Sequence, residues 1–334
     1  MTLTVSNTIH TWMHYAKSCA RGFHLQCALC LRRVLAIMNH VPVRFYAQVC
    51  ATYELNTISS GMKLSTVAGD AFTQSFKKSV FYEVDIRNGR IENGCLKSYH
   101  HKEYENLNQF GSIVKTFFRF VQIHVDVNSE EEYSSDLEAL NQLLEFVRNQ
   151  IVVLFIHTSN LSKEVYEFIA AIPCVSVVII DAAVTTQIEQ VLETVIHKKT
   201  LNVLEFVREH KFNDVTTRLL VNALKQDQFD SASPSANCDF PLGSVVAEWK
   251  QNSAQMVGKE IWSWDNVLHN QMIEELGFRK STAEDDRYLE MFPPKAKSVW
   301  SEPQEVFVLK DQKGCAIFVL VHELRPSKSL IVFA

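Results

Sequence analysis

Glycine is absent between Gly111 and Gly243, a gap that covers the middle of the chain. That excludes a glycine-rich turn there, and with it the phosphate cradle that opens a nucleotide-binding α/β unit. Long apolar runs are also missing. None approaches the roughly 18–20 residues needed to span a bilayer, and the closest, Cys174–Ile180, is strand-sized. His-Glu-x-x-His, Gly-x-Ser-x-Gly and phosphate-loop patterns do not occur. The 12 histidines and 38 acids therefore supply general acids and bases without a recognisable catalytic arrangement. A net charge of −5 exerts no pull toward nucleic acid or an anionic membrane. The eight cysteines lie scattered, with Cys174 inside a core-like run, which is the usage of a reduced intracellular protein. The single Asn160-Leu161-Ser162 triplet comes without a clear secretory signal.

Acid is missing from the first 53 residues as well; Glu54 is the first, while Lys17, Arg21, Arg32, Arg33 and Arg44 carry charge. Two readings fit an acid-free, Arg-bearing start: a mitochondrial transit peptide, or a poorly ordered basic extension over 1–37. The same segment holds His14, Cys19, His24, Cys27 and Cys30. Structural zinc needs four ligands on a rigid frame. No second Cys-x-x-Cys follows Cys27-Ala28-Leu29-Cys30, so the pair reads as part of an apolar helix face with Phe23, Leu31 and Val34.

Hydrophobic residues make up 47% of the chain, enough for a large core. Between Phe120 and Val207 one pattern recurs: an apolar residue, two free positions, an apolar residue, one free position, an apolar residue. Its copies are Phe120/Ile123/Val125, Ile151/Leu154/Ile156, Cys174/Val177/Ile179 and Leu201/Leu204/Phe206, starting 31, 23 and 27 residues apart. Each reads as a short buried strand followed by an amphipathic helix. Ser135-x-x-Glu138 and Thr186-x-x-Glu189 are capping boxes, Ser162 caps the second helix, and Asp214 precedes the fourth. Strands joined by right-handed helical crossovers lie parallel. Ahead of the repeats, Val80–Ile86 alternates and Asn88-Gly89 follows, which predicts a β-hairpin capping the first unit. After them, Phe229–Cys238 reads as a loop and Val245/Val246/Trp249 as a helix. Ile261-Trp262 suggests a strand, and Pro293-Pro294 a hinge. Val306–Leu309 and Ala316–Val321 form a hairpin around Asp311–Gly314, and Leu330–Phe333 is a last run.

The fold class expected is α/β: an irregular leucine-rich-repeat-like solenoid of parallel strands, with β-hairpins at its N- and C-terminal ends. The turn positions after the strands are occupied by Asn128, Ser159, Ala182 and Glu209, so only the first carries the repeat's usual Asn or Cys. A doubly wound α/β domain is the competing architecture. The expected divisions are 1–37, a helical segment over 38–78, a hairpin cap over 79–110, strand–helix repeats over 111–265, and β-rich sequence over 266–334.

From Met38 the chain runs through Val41-Pro42-x-x-Phe45-x-x-x-Val49, Leu64-Ser65-x-Val67 and Phe72. This opening, with the strand–helix body and β-rich end, resembles the divergent F-box-associated families expanded in nematodes. The resemblance covers most of Met38–Ala334 on loose motifs. It implies a protein–protein interaction module, with the adaptor subunit of an SCF-type ubiquitin ligase as a partner and a cytoplasmic or nuclear location. The alternative is an α/β enzyme of unrecognised activity in mitochondria. No cofactor or metal is expected, nor a nucleic-acid or membrane partner.

Alternation along a strand places candidate partner-binding side chains opposite the repeated apolar positions. Two rows result: His124, Phe155, Val178 and Glu205, and beside them Asp126, His157, Ile180 and Val207. An apolar centre inside a polar rim suits a docking face. Asp126 beside His157 would raise the pKa of that histidine. The competing reading is that C-terminal hairpins cover these apolar residues. Trp249, Trp262, Trp264 and Trp300 read as core. The acids Glu130-Glu131-Glu132 and Asp285-Asp286 read as solvated loop residues.

Overall fold

The computed structural model describes Thr73 and residues 80–98, 103–104, 118–127, 136–234, 240–263, 270–282, 285, 305–321 and 329–334. Every strand and helix named below belongs to the unit Lys77–Ala334. The basic start, its cysteine pair, the F-box-like segment apart from Thr73, Glu130-Glu131-Glu132, Asp286, Pro293-Pro294, Trp264 and Trp300 all lie outside the described residues.

The Asn-Gly signal holds. Asn88 and Gly89 both take positive φ, 49° and 80°, as a tight hairpin turn requires. They join β1 (Val80–Arg87) to β2 (Arg90–Ser98), and β2 pairs with the two-residue β3 (Glu103–Tyr104). On its other side β1 lies parallel to β4 (Phe118–Asp126). From there strands and helices alternate: α1 (Leu137–Val147), β5 (Val152–Ile156), α2 (Lys163–Ala171), β6 (Val175–Ile180), α3 (Thr186–His197), β7 (Val203–Phe206) and α4 (Asp214–Leu224). Then follow β8 (Ser231–Ser233), α5 (Leu242–Met256), β9 (Glu260–Ser263) and the short α6 (Asn270–Glu275). The chain ends in β10 (Arg279–Lys280), β11 (Glu305–Lys310), β12 (Ala316–Val321) and β13 (Ser329–Phe333).

Among the described residues, thirteen strands form one open mixed sheet in the order β10-β11-β12-β13-β9-β8-β7-β6-β5-β4-β1-β2-β3. Strands β4 to β9 are parallel and follow chain order. Sequential crossovers of one hand deposit α1 to α5 on the same sheet face. In keeping with that, α1 packs on α2, α2 on α3, α3 on α4 and α4 on α5. The main core lies between this helix row and the sheet. Val121, Ile123, Val125, Val152, Leu154, Ile156, Leu204 and Phe206 meet Leu140, Val147, Val165, Phe168, Val191, Leu192 and Leu220 there. Helix and sheet faces of this kind are buried at roughly 25 cal/mol per Å² of apolar surface.

Local details correct several expectations. Asp136, not Ser135, caps α1, its carboxylate accepting from the Ala139 amide at 3.0 Å. Ser162 caps α2 as expected, accepting from the Val165 amide at 3.2 Å. No Thr186 capping box forms at α3. Thr185 is the cap residue, and its hydroxyl instead donates to the Ser159 carbonyl at 2.9 Å. At α4 the box is Asn213 with Thr216. Part of the expected loop Phe229–Cys238 is strand β8, a Ser-Ala-Ser segment paired on both sides. Asp285 is fully buried, not solvated. It accepts from Arg279 at 2.8 and 3.0 Å, from the Thr282 amide at 2.8 Å, and from Lys310. These contacts hold its carboxyl far below the usual carboxylate range.

The C-terminal strands do not lie over β5 and β6. β13 pairs antiparallel with β9, so β11–β13 extend the sheet sideways. Their helix-side residues Phe307, Ile317, Val319, Ile331 and Phe333 join the main core. Val308, Phe318, Leu320, Leu330 and Val332 form a second buried cluster on the opposite face. Among the described residues no helix is long and apolar enough to cross a membrane.

Candidate functional site on the open face of the sheet

Residues paired across neighbouring strands share a sheet face. The register therefore writes out the face turned away from the helices. One row runs Asp85, His124, Phe155, Ile179, Glu205, Ser233; the next runs Glu83, Gln122, Val153, Val177, Val203, Ser231. The apolar members are half-buried, and Val207 at the strand end is exposed.

Of the seven candidates, His124, Phe155, His157 and Glu205 lie on or at the rim of this face, with His124, Phe155 and His157 in mutual contact. Val178 and Ile180 do not. They are 0% and 1% exposed and point into the helix-side core, and Val177 with Ile179 takes the open face instead. The cause is a register shift. Val152 pairs with Val175 while Val153 pairs with Val177, so Ser176 is an extra residue and the alternation changes phase there. The leading positions of the repeated pattern also diverge. Phe120 is half-buried against Phe81 at 5.0 Å, Ile151 is 42% exposed and Leu201 is fully buried.

Asp126 does not reach His157; its carboxylate accepts from the Val127 amide at 2.8 Å. The acid on His157 is Asp181, directly after β6, at 3.3 Å from Nδ1. Asp181 also accepts from Arg208 Nε at 2.9 Å. His157 Nε2 lies 3.0 Å from His124 Nδ1, and His124 Nε2 lies 2.7 Å from the Gln122 amide nitrogen. One set of neutral tautomers satisfies the whole chain. Gln122 donates to His124 Nε2, His124 Nδ1–H donates to His157 Nε2, and His157 Nδ1–H donates to Asp181. The rings are nearly coplanar in orientation, His124 stacking on Phe155 at 4.4 Å and on His157 at 5.3 Å. Burial pushes the His124 pKa below its ordinary value. Glu83 and Asp85 pull it up, and His157 and Lys97 push it further down. At Asp181 burial works to raise the pKa, but the bonds from Arg208 and His157 outweigh it, so it sits below the usual carboxylate range.

Beside His124, the half-buried Glu83 and Asp85 of β1 come close. One ligand-type atom from each of these two and from His124 lies within 4.8 Å of the others. Lys97 on β2 bonds Glu83 at 2.6 Å. The alternation of Val80–Ile86 already placed Glu83 and Asp85 on one face; that this face adjoins His124 depends on the parallel β1–β4 pairing. Asp181 and Arg208 each follow a strand segment, and no spacing in the sequence links either to His157. His157, Asp181 and Arg208 all come just after the carboxyl ends of parallel strands, where side chains of α/β sheets converge on ligands.

No family model, curated protein or solved structure matches the chain.

Proposed function

We propose that the chain is a protein–protein interaction module whose open sheet face docks a protein partner. One observation carries this reading: Val153, Phe155, Val177, Ile179 and Val203 sit side by side, only half-buried. Glu83, Asp85 and His124 border them on one side and Glu205 on the other. Apolar anchors inside a polar rim are the anatomy of a docking patch. In this reading the strand–helix body works as a leucine-rich-repeat-like solenoid, with its helices outside and its sheet toward the partner. The F-box-like opening Met38–Phe72 adds the adaptor subunit of an SCF-type ubiquitin ligase as a second partner, making the open face a substrate-presenting surface.

Two experiments test the two halves separately. Phe155→Asp and Ile179→Asp still unfold in one cooperative urea transition, at a lowered midpoint, and lose the proteins captured by the wild-type chain. Capture unchanged by both substitutions removes the docking face from the proposal. Purified adaptor subunit binds the full chain and fails to bind a chain lacking Met38–Lys78. If the adaptor does not bind the full chain, the ligase role is removed and a plain scaffold is left.

The His124–His157–Asp181 relay at the strand ends favours a second reading, an α/β enzyme using His124 or His157 as a general base. Turnover in a panel of ester and phosphate substrates, abolished by His157→Asn, would support it. No turnover across the panel would leave the relay a structural element.

A further inference from the structure

We propose that Glu83, Asp85 and His124 bind one divalent first-row transition-metal ion of the manganese and iron(II) kind. The site shares the polar rim of the docking reading but does not need its apolar centre, so metal binding and partner capture are lost by different substitutions.

Geometry supplies the first support. Glu83 and Asp85 are alternate residues of β1, so both carboxylates leave the same side of the strand. Asp85 is the register partner of His124 on the parallel neighbour β4. The three ligand atoms already lie within 4.8 Å of one another. An ion about 2.0–2.2 Å from each ligand holds them roughly 3–4 Å apart, so side-chain rotations on the order of 1 Å close the site.

Donor chemistry narrows the ion. Two carboxylates and one imidazole form a mixed oxygen–nitrogen set. Calcium and magnesium prefer oxygen alone, whereas the imidazole suits iron, zinc and copper and the carboxylates suit manganese. No cysteine belongs to the set.

Independent support comes from how His124 is held. A metal-bound imidazole donates its other N–H to a fixed acceptor, which sets the tautomer and aims the free lone pair. His124 Nδ1 faces His157 on β5 at 3.0 Å, and His157 is anchored in turn on Asp181. Because β4 lies between β5 and β1, Nε2 then turns toward the β1 side, where the carboxylates are. The Gln122 amide now bonds that nitrogen, and an ion takes its place as Gln122 rotates away.

Charge gives the third support. Two half-buried carboxylates face one another, with Lys97 bonded to Glu83. A divalent ion neutralises both carboxylates, and it competes with Lys97 for Glu83. Removing the lysine therefore strengthens binding.

The test is manganese titration of the chelator-stripped full chain, read by loss of the free-ion paramagnetic resonance signal and by calorimetry. The expected result is one saturable equivalent. Asp85→Asn and His124→Gln each weaken it at least about tenfold, and His157→Phe weakens it by about 10–100-fold through lost orientation of His124. Lys97→Met tightens it. Urea midpoints identify any variant that fails to fold, and Glu83→Gln replaces Asp85→Asn in that event. Absence of saturable binding by the wild-type chain overturns the site. So does affinity unchanged in folded Asp85→Asn and His124→Gln, or Lys97→Met binding no tighter than wild type.

Discussion

Alanine substitutions along β6 measure which face each of its side chains occupies. Val178 and Ile180 are buried against the helices, whereas Val177 and Ile179 lie half-buried on the open face. Ile180→Ala removes three buried carbons, worth about 2.4 kcal/mol at ~0.8 kcal/mol per methylene. The incompletely collapsed cavity brings the total to about 3–4 kcal/mol. Val178→Ala removes two carbons and should cost about 2–3 kcal/mol by the same reasoning. Ile179→Ala and Val177→Ala give up only partial burial and should cost less than about 1.5 kcal/mol. Urea unfolding read by far-ultraviolet circular dichroism measures all four, the midpoint falling at constant slope. For a chain of this size the Ile180→Ala loss corresponds to a melting-temperature drop of roughly 5 °C. If Ile179→Ala costs as much as Ile180→Ala, the bulge at Ser176 and the phase change it produces are wrong.

Three further outcomes are expected. Lys199 closes α3 with φ at +56° in a stretch without glycine. Because a left-handed non-glycine residue costs roughly 1–2 kcal/mol, part of which glycine's entropy gives back, Lys199→Gly should raise stability by about 0.5–1 kcal/mol in urea melts. His124 and His210 both have pKa values lowered by burial. The unfolded chain then binds more protons below its histidine value of about 6.5, so stability falls as pH drops through that point and on to the folded values. Melting temperature against pH should show this slope, and it should flatten in His124→Gln; an unchanged slope in that variant and in His210→Gln would refute the assignment. Asp285→Ala strips Arg279, Lys310 and Thr282 of their shared acceptor and should cost about 2–3 kcal/mol at neutral pH. The loss should shrink in acid, since a depressed carboxyl contributes only above its unfolded value and loses that contribution as pH falls.

The sequence by itself determined the first hairpin and the types and order of the elements from β4 to α4. Asn88-Gly89 specifies its hairpin because few other pairs accept two positive φ angles. The periodicity of Leu140, Val147, Val165, Phe168, Val191 and Leu220 marks each helix's buried face, since helical spacing is a local property. Ser162 is legible as a cap for the same reason. Parallel β4 to β7 in chain order followed from short crossovers of one hand. What only the tertiary structure decided is phase and adjacency. Val175–Ile180 is apolar on both faces apart from Ser176, so no pattern says which face is the core, and the bulge against β5 makes that choice. Ser231–Ser233 carries no strand pattern and becomes β8 because strands on both sides supply its hydrogen bonds. Asp126 and His157 looked like neighbours on a flat grid, yet the loop after β6 delivers Asp181 to His157. Glu83 and Asp85 meet His124 only because β1 pairs parallel with β4. Side-chain direction within a strand follows from the pleat, but contacts between strands depend on hydrogen-bond register, which the chain acquires only when the sheet assembles.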